Sequence, residues 1–327
     1  MIEISVLIVV RNEERYIIDC IQSIESQFDK EDQWELIIID GESTDKTKEL
    51  TEQYLQKVDY SWQLLNNPKK TLAPGWNLGI MHAKGSYVLR PDAHATLHDN
   101  YIKIGLETIK NNNDITAVGG VLETKSKNYW GNIIRVALSS KVGVGNSSFR
   151  TASQSGFADT AVYAVYRKAI FDKVGLFNEK LVRHQDNDMH QRIKSVGGRF
   201  YLNIDMKADY YCRDQVSSLS KQMFNIGRYL PDVMFSGALS PRHFIPFVFY
   251  LGLLIGFLLG VLIHPIFSTL TLAAAALYFA VIIIETISKT IRLGDLNMLF
   301  LLIIIPLIHL NYAAGTFLGL ISKPFRN

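Results

Sequence analysis

The chain opens on an apolar, β-branched run at Ile4–Val10, the pattern of a strand buried on both faces. Residues 15–26 follow with Ile17, Ile21 and Ile24 at helical spacing. A second buried strand is predicted over 35–40 (Glu-Leu-Ile-Ile-Ile-Asp) and a second helix over 45–58. The alternation continues with a strand at 60–65, a helix at 74–83 with Pro74 in its first turn, and a strand at 85–89. A helix at 98–113 and a strand at 115–122 complete it. Such a pattern predicts an α/β fold of βαβ units, with a mostly parallel, Rossmann-like sheet flanked by helices. Ligands of such sheets bind at the carboxyl ends of the strands, which points to the residues after Val10, Ile39 and Leu89.

Beyond residue 243 the pattern changes. Apolar blocks at 244–263, 267–287 and 298–321 each reach the ~20 residues a spanning helix needs. Glu285 is the one charge between 244 and 288, and 298–322 has none. Lys289 and Arg292 separate the second and third blocks, so that loop is expected on the cytosolic side. Pro306, His309 and Asn311 interrupt the third block, which either crosses or re-enters. The expected organisation is a cytosolic domain over 1–215, an interfacial helix and linker over 216–243, and a membrane domain over 244–327. That makes a multi-pass protein of the cell membrane. Residues 129–142 are weakly amphipathic, with Trp130, Ile133, Ile134, Ala137 and Leu138 on one side. They read as a helix lying on the bilayer or, alternatively, buried in a core.

Composition narrows the function. The 327 residues carry 34 Lys+Arg against 31 Asp+Glu, a net +3, with 20% charged residues. Thirty basic and 29 acidic residues precede position 244, so the soluble part is near neutral and no nucleic-acid partner is expected. Cys20 and Cys212 lie far apart, which excludes a disulfide scaffold and fits a reducing compartment. The first strand begins so close to residue 1 that no cleaved leader is expected.

Four places carry candidate chemistry. Asp40 ends a strand before Gly41-Glu42-Ser43-Thr44-Asp45, where a carboxylate can bind ribose hydroxyls or a base N–H, or simply hold a turn. In Leu89-Arg90-Pro91-Asp92-Ala93-His94, Asp92 and His94 share a side of an extended segment. A carboxylate and an imidazole there suit Mg²⁺ or Mn²⁺ shared with phosphate oxygens. Asp186 and His190 are four residues apart, so they share a helix face if 183–192 is helical. Asp186 is a candidate general base, weighed against a merely charged helix start. Gln222 and Arg228, shortly before the apolar blocks, can meet a pyrophosphate or anchor at lipid headgroups. No Gly-x-Gly-x-x-Gly and no Walker lysine motif is present, so dinucleotide and P-loop readings lack their phosphate cradle.

The order of these motifs resembles family-2 glycosyltransferases of GT-A fold. The resemblance rests on Val9-Val10-Arg11-Asn12-Glu13, on Asp40 in Ile-Ile-Asp-Gly-Glu-Ser-Thr-Asp, and on Asn77-Leu78-Gly79-Ile80 with Ala83-Lys84-Gly85. Asp92 falls where their Asp-x-Asp metal motif belongs, with His94 replacing its second aspartate. Gln185-Asp186 falls where their Glu-Asp pair belongs. The Arg-x-Asp-x-His form, the stretch from Gly143 to Arg150, and Asp159-Thr160 resemble the succinoglycan-type exopolysaccharide subgroup. The resemblance implies a UDP-sugar donor bound by Val10, Arg11, Glu13, Asp40, Asn77, Arg90 and Asp92. It implies Mg²⁺ or Mn²⁺ on Asp92 and His94, and Asp186 as the base of an inverting transfer. A polyprenyl-linked saccharide acceptor is expected near Arg150, Asp159, Gln222 and Arg228, at a membrane lipid surface with the catalytic domain facing the cytosol. The Gln-x-x-Arg-Trp signature of processive synthases is missing, which implies one sugar per encounter. A polyprenyl-phosphate glycosyltransferase loading the first sugar is the alternative, and a non-catalytic nucleotide-binding scaffold a third.

Overall fold

The computed structural model describes residues 2–145, 149, 152–234 and 241–322. They divide into two compact units, one of residues 1–123 and 147–211, the other of 124–146 and 212–327.

The first unit is built on one sheet. Its strands are β1 (Ile4–Val10), β2 (Trp34–Asp40), β3 (Ser61–Asn66), β4 (Tyr87–Leu89), β5 (Ala95–Leu97), β6 (Ile115–Lys125), β7 (Gly156–Ala158), β8 (Val165–Arg167) and β9 (Arg199–Tyr211). The spatial order is β3-β2-β1-β4-β8-β6-β9-β5, with β7 paired to β9. The pairs β1–β2, β2–β3 and β1–β4 are parallel, as the alternation predicts. The later pairs β4–β8, β6–β8, β5–β9 and β7–β9 are antiparallel, so the sheet is mixed. In the parallel part Val10 stands opposite Asp40 and Asp40 opposite Asn66, which aligns the strand ends where candidate ligand-binding residues lie.

Both faces of β1 are covered, which is why its sequence lacks alternation. Val6, Ile8 and Val10 pack with Ile17, Ile21 and Ile24 of the helix Ile17–Glu25. Leu7 faces the other way, into Trp76 and Ile80 of Leu72–His82 and Met189 and Ile193 of Gln185–Ser195. The buried Glu35 carboxylate is satisfied by Ser5 Oγ (2.7 Å) and the Lys84 N–H (2.6 Å).

In the second unit, the helices Ile245–Leu262 and Ile266–Leu293 and the segment Leu296–Ser322 are long and apolar enough to cross a membrane. The third segment is one continuous helix from Leu301 to Ser322 despite Pro306. The helix Val216–Tyr229 packs against it so closely that a Cβ on Gly315 would stand 2.1 Å from the Phe224 carbonyl oxygen. The predicted helix over 129–142 forms in two pieces, Tyr129–Leu138 and Lys141–Val144. Ser140 Oγ accepts from Val142 and Gly143 N–H at the break and donates to Glu285 Oε1 (2.7 Å). His309 Nε2 donates to the Gly143 carbonyl (3.1 Å), and Trp130 meets Phe300 at 5.2 Å between ring centroids.

Gly120 of β6 lies where a Cβ would stand 1.9 Å from the Met206 carbonyl oxygen, whereas one on Gly156 would meet nothing within 4 Å. Gly120→Ala is expected to destabilise the protein by about 3 kcal/mol, and Gly156→Ala to leave it near wild type. Paired thermal melts in detergent check this, and equal midpoints would contradict the packing described.

Candidate active site

The loops after β1 and β2 are laced together. Asp40 is buried, and its oxygens accept from the Ser43 N–H (3.1 Å) and Ser43 Oγ (2.6 Å). Ser43 Oγ accepts from the Asn12 N–H (3.0 Å), and Asn12 Oδ1 accepts from the Thr44 N–H (2.8 Å). Asn12 adopts φ 57°, a left-handed geometry that asparagine tolerates. The carboxylate therefore holds the turn, and its remaining lone pairs stay available to a ligand. Arg11 is exposed beside it, its Cβ 3.5 Å from the Cβ position of Gly41. Glu13 reaches across to the β4 loop, its Oε1 3.2 Å from His94 Nδ1.

After β4 the chain delivers two candidate site residues, Arg90 and Asp92, within three positions. Arg90 is 8% exposed and its Nη2 donates to Asp186 Oδ1 at 2.6 Å. Its guanidinium lies 4.0 Å from the Trp76 ring centroid, 4.5 Å from that of Phe177 and 5.5 Å from that of Tyr166. Nε and Nη1 have no hydrogen-bond partner among the described residues, so aromatic faces stand where acceptors would. Burial lowers the Arg90 pKa most, but the Asp186 carboxylate and the Tyr166 phenol together outweigh it and raise the pKa above the usual value. Asp186, in the first turn of Gln185–Ser195, is half-exposed, with Oδ1 committed to Arg90.

Asp92, two residues after Arg90, accepts from Tyr163 Oη on Oδ2 (3.1 Å), which leaves Oδ1 as a hard oxygen donor. Burial first, and Asp92 next, push the Tyr163 phenol well up, so it stays protonated and donating. Tyr163 itself sits at φ 43°, a strained conformation for an aromatic residue, and its carbonyl is held by Tyr101 Oη (2.9 Å). One protein carboxylate with diphosphate oxygens is a common Mg²⁺ arrangement, so Asp92 fits such an ion by itself. Among the described residues the convergent three-ligand group is His98, Glu123 and Asp209, not a set built on Asp92 and His94.

Other predicted residues have different placements. Asn77 is buried and clamps the loop before Gln185–Ser195: Oδ1 accepts from the Phe177 N–H (2.8 Å) and Nδ2 donates to the Phe177 carbonyl (2.9 Å). That clamp fixes Phe177 against Arg90. Asp159 is exposed in the loop before β8, and Arg150 lies outside the described residues. Gln222 and Arg228 belong to the second unit, on Val216–Tyr229, where Arg228 backbone packs against Gly315 and Gly319. Gln185 is buried, its Nε2 donating to the Leu181 carbonyl (2.9 Å).

The sequence profile described as Glycosyl transferase family 2 matches residues 5–175, just over half of the chain. The chain belongs to this family. A Methanococcus voltae dolichyl N-acetyl-α-D-glucosaminyl phosphate 3-β-D-2,3-diacetamido-2,3-dideoxy-β-D-glucuronosyltransferase is 28% identical over 325 residues, 98% of this chain and 97% of that protein. The succinoglycan biosynthesis protein ExoA of Rhizobium meliloti is 28% identical over 200 residues, 59% of this chain and 58% of that one. A mannosyltransferase from Pyrobaculum calidifontis, solved with GDP-Man and Mn²⁺, is 16% identical with TM-score 0.61, over 98% of this chain and 88% of that one. Its likeness concerns the GT-A fold.

Residues that the sequence did not single out surround Arg90 and Asp92: Tyr163, Tyr166, Trp76 and Phe177. Aromatic residues carry no spacing signal of their own, and only the β4 loop brings a cation among them. His190, which shares a helix face with Asp186, has its ring buried between Thr160 Oγ1 (2.7 Å from Nδ1) and Tyr166 Oη (2.8 Å from Nε2). Burial pulls its pKa down to about 4 from 6.5. An unfolded chain takes up this proton as pH falls through 6.5, the folded chain only near 4, so stability drops between those values and levels off below. The expected loss from this group is about 3 kcal/mol. Melting wild type and His190→Gln across pH 4–7 checks it: the wild-type midpoint should fall more steeply, and parallel curves would refute it.

Proposed function

We propose that this glycosyltransferase moves a sugar, with inversion, from a UDP donor to a lipid-linked saccharide at the cytosolic face of the cell membrane, in surface-polysaccharide assembly. The observation that carries the reading is the Arg90–Asp92 segment. Arg90 grips one oxygen of Asp186, and Asp92, two residues on, offers an oxygen to a diphosphate-bound cation. A base and a leaving-group site are thereby tied to one short stretch of backbone. The name of the Methanococcus relative, with a lipid-phosphate-linked amino sugar as acceptor, supports the acceptor class. The three apolar segments support its delivery at a membrane.

In this reading Asp40 and Arg11 receive the nucleoside, with Glu13 and His94 beside the diphosphate. Asp92 would hold Mg²⁺ or Mn²⁺, which when bound stabilises charge developing on the departing UDP. Asp186 Oδ2, unlike Oδ1, has no tie to Arg90. It takes the proton of the acceptor hydroxyl as that oxygen bonds to the anomeric carbon and the bond from that carbon to UDP breaks. The ion pair with Arg90 fixes the Asp186 carboxylate in orientation.

The test is UDP release from UDP-glucose, UDP-N-acetylglucosamine or UDP-glucuronic acid, with GDP-mannose as control, in detergent with a polyprenyl phosphate or a polyprenyl-phosphate-linked N-acetylglucosamine. Turnover is expected with one UDP donor and the sugar-bearing lipid, and is expected to vanish with chelator. Transfer to the bare lipid phosphate would instead support loading of the first sugar. Asp186→Asn should lower kcat by roughly 10²–10⁴-fold while UDP binding survives. Wild-type turnover in that variant would discard the base assignment.

A further inference from the structure

Arg90 is a permanent cation in a nearly dry site, and its single hydrogen-bonded anion is at the surface end of a helix. Something must stop it from swinging out to water or settling elsewhere among the rings. Trp76 and Phe177 press on the guanidinium. The remaining ring, Tyr166, is held differently. Its hydroxyl meets His190 Nε2 at 2.8 Å, and His190 Nδ1 meets Thr160 Oγ1 at 2.7 Å. The imidazole is pinned by Phe200, with ring centroids 4.4 Å apart. A neutral imidazole has one donor and one acceptor nitrogen, so one hydroxyl must donate to it and the other accept from it. Both ring nitrogens are satisfied, so the chain from Thr160 to Tyr166 has one consistent polarity and little freedom. His190 is also on the helix of Asp186, one turn further along.

We infer that Thr160, His190 and Tyr166 form a buried positioning relay that fixes the Arg90 guanidinium and, through it, the Asp186 carboxylate toward the acceptor hydroxyl. The inference rests on the reading of Asp186 as the base. It adds residues that touch neither donor nor acceptor in that reading: the relay is buried under the site, from the loop before β8, through the helix interior, to the β4 loop. Its function is orientation, because misplacing a reacting group by about 1 Å can cost roughly 10²-fold in rate.

The charged and titratable groups around Asp186 are Arg90 and Tyr166 from the sheet side, and His184, Asp188, His190 and Lys194 on or at the start of its own helix. Lys173 is on the neighbouring helix Ile170–Val174, and Glu179, paired with Lys69, is in the preceding loop. Of these, Arg90 is the ion-pair partner of Asp186. Loosening Arg90 therefore frees the carboxylate from its fixed orientation.

The experiment compares wild type, His190→Leu, His190→Gln and Asp186→Asn, full-length in detergent, by UDP release from the UDP donor that the screen above selects. Folded fraction is taken from thermal melts of the same samples. For His190→Leu the expected result is a kcat lowered roughly 10- to 100-fold, with KM for the donor within about twofold. His190→Gln, which keeps a donor and an acceptor, should recover most of kcat. A folded His190→Leu variant with wild-type kcat would overturn the relay. So would failure of His190→Gln to recover while equally folded. If Asp186→Asn turns over like wild type, it is the base reading that fails, which is a separate and recognisable outcome.

Discussion

The first unit depends on a buried positive charge that cannot be discharged. A guanidinium keeps its proton at any pH a protein survives, so Arg90 must find a partner or stay in water. It finds one carboxylate and three aromatic rings. Cation–π contacts in a desolvated setting are each worth up to about 2 kcal/mol, enough to offset part of the cost of burial. The rest falls to Asp186, which makes the carboxylate a structural anion as well as the proposed base. Anything that holds the rings therefore acts on Asp186. That includes the Asn77 clamp on Phe177 and the packing of Trp76 against Phe177.

The sheet explains why these groups meet at all. Parallel pairing aligns the ends of β1 and β2 in register, so the loops after Val10 and Asp40 leave from the same edge and bond to each other. The neighbouring β4 stops early, at Leu89 opposite Val6. Its early end drops Arg90 below the rim into the ring cage and leaves Asp92 near the top of it. Antiparallel β8 then brings Tyr166 alongside Val88. A mixed sheet is thus not an ornament on a parallel one: the antiparallel strand supplies a wall of the cage.

Much of this was legible before any coordinates. The apolar runs of β1 and β2, the helical spacing of Ile17, Ile21 and Ile24, and the three apolar blocks each emerge as expected, because burial on both faces or in lipid leaves a strong one-dimensional signal. The short strands β5, β7 and β8 do not emerge, since three residues are too few for a period to show. Among the site residues, the strand-end position of Asp40 and the loop position of Asp92 followed from the alternation alone. The Arg90–Asp186 pair did not. Ninety-six residues separate its members, and nothing in either local sequence states that they meet. Asn77 stands in a familiar motif, and in the fold its amide bonds the Phe177 backbone and the Glu179 carboxylate (3.1 Å).

The second unit takes residues 124–146 from within the sequence of the first, and the chain then goes back to the first unit before leaving it for good. A truncation after residue 243 would consequently not yield a clean soluble enzyme. It would leave Tyr129–Leu138 with its buried side chains stripped of the partners supplied by the last apolar helices, and Ser140 without Glu285. Excising a water-soluble fragment calls for two cuts and a bridging loop across the ends of 123 and 147, a redesign of connectivity and not a simple deletion.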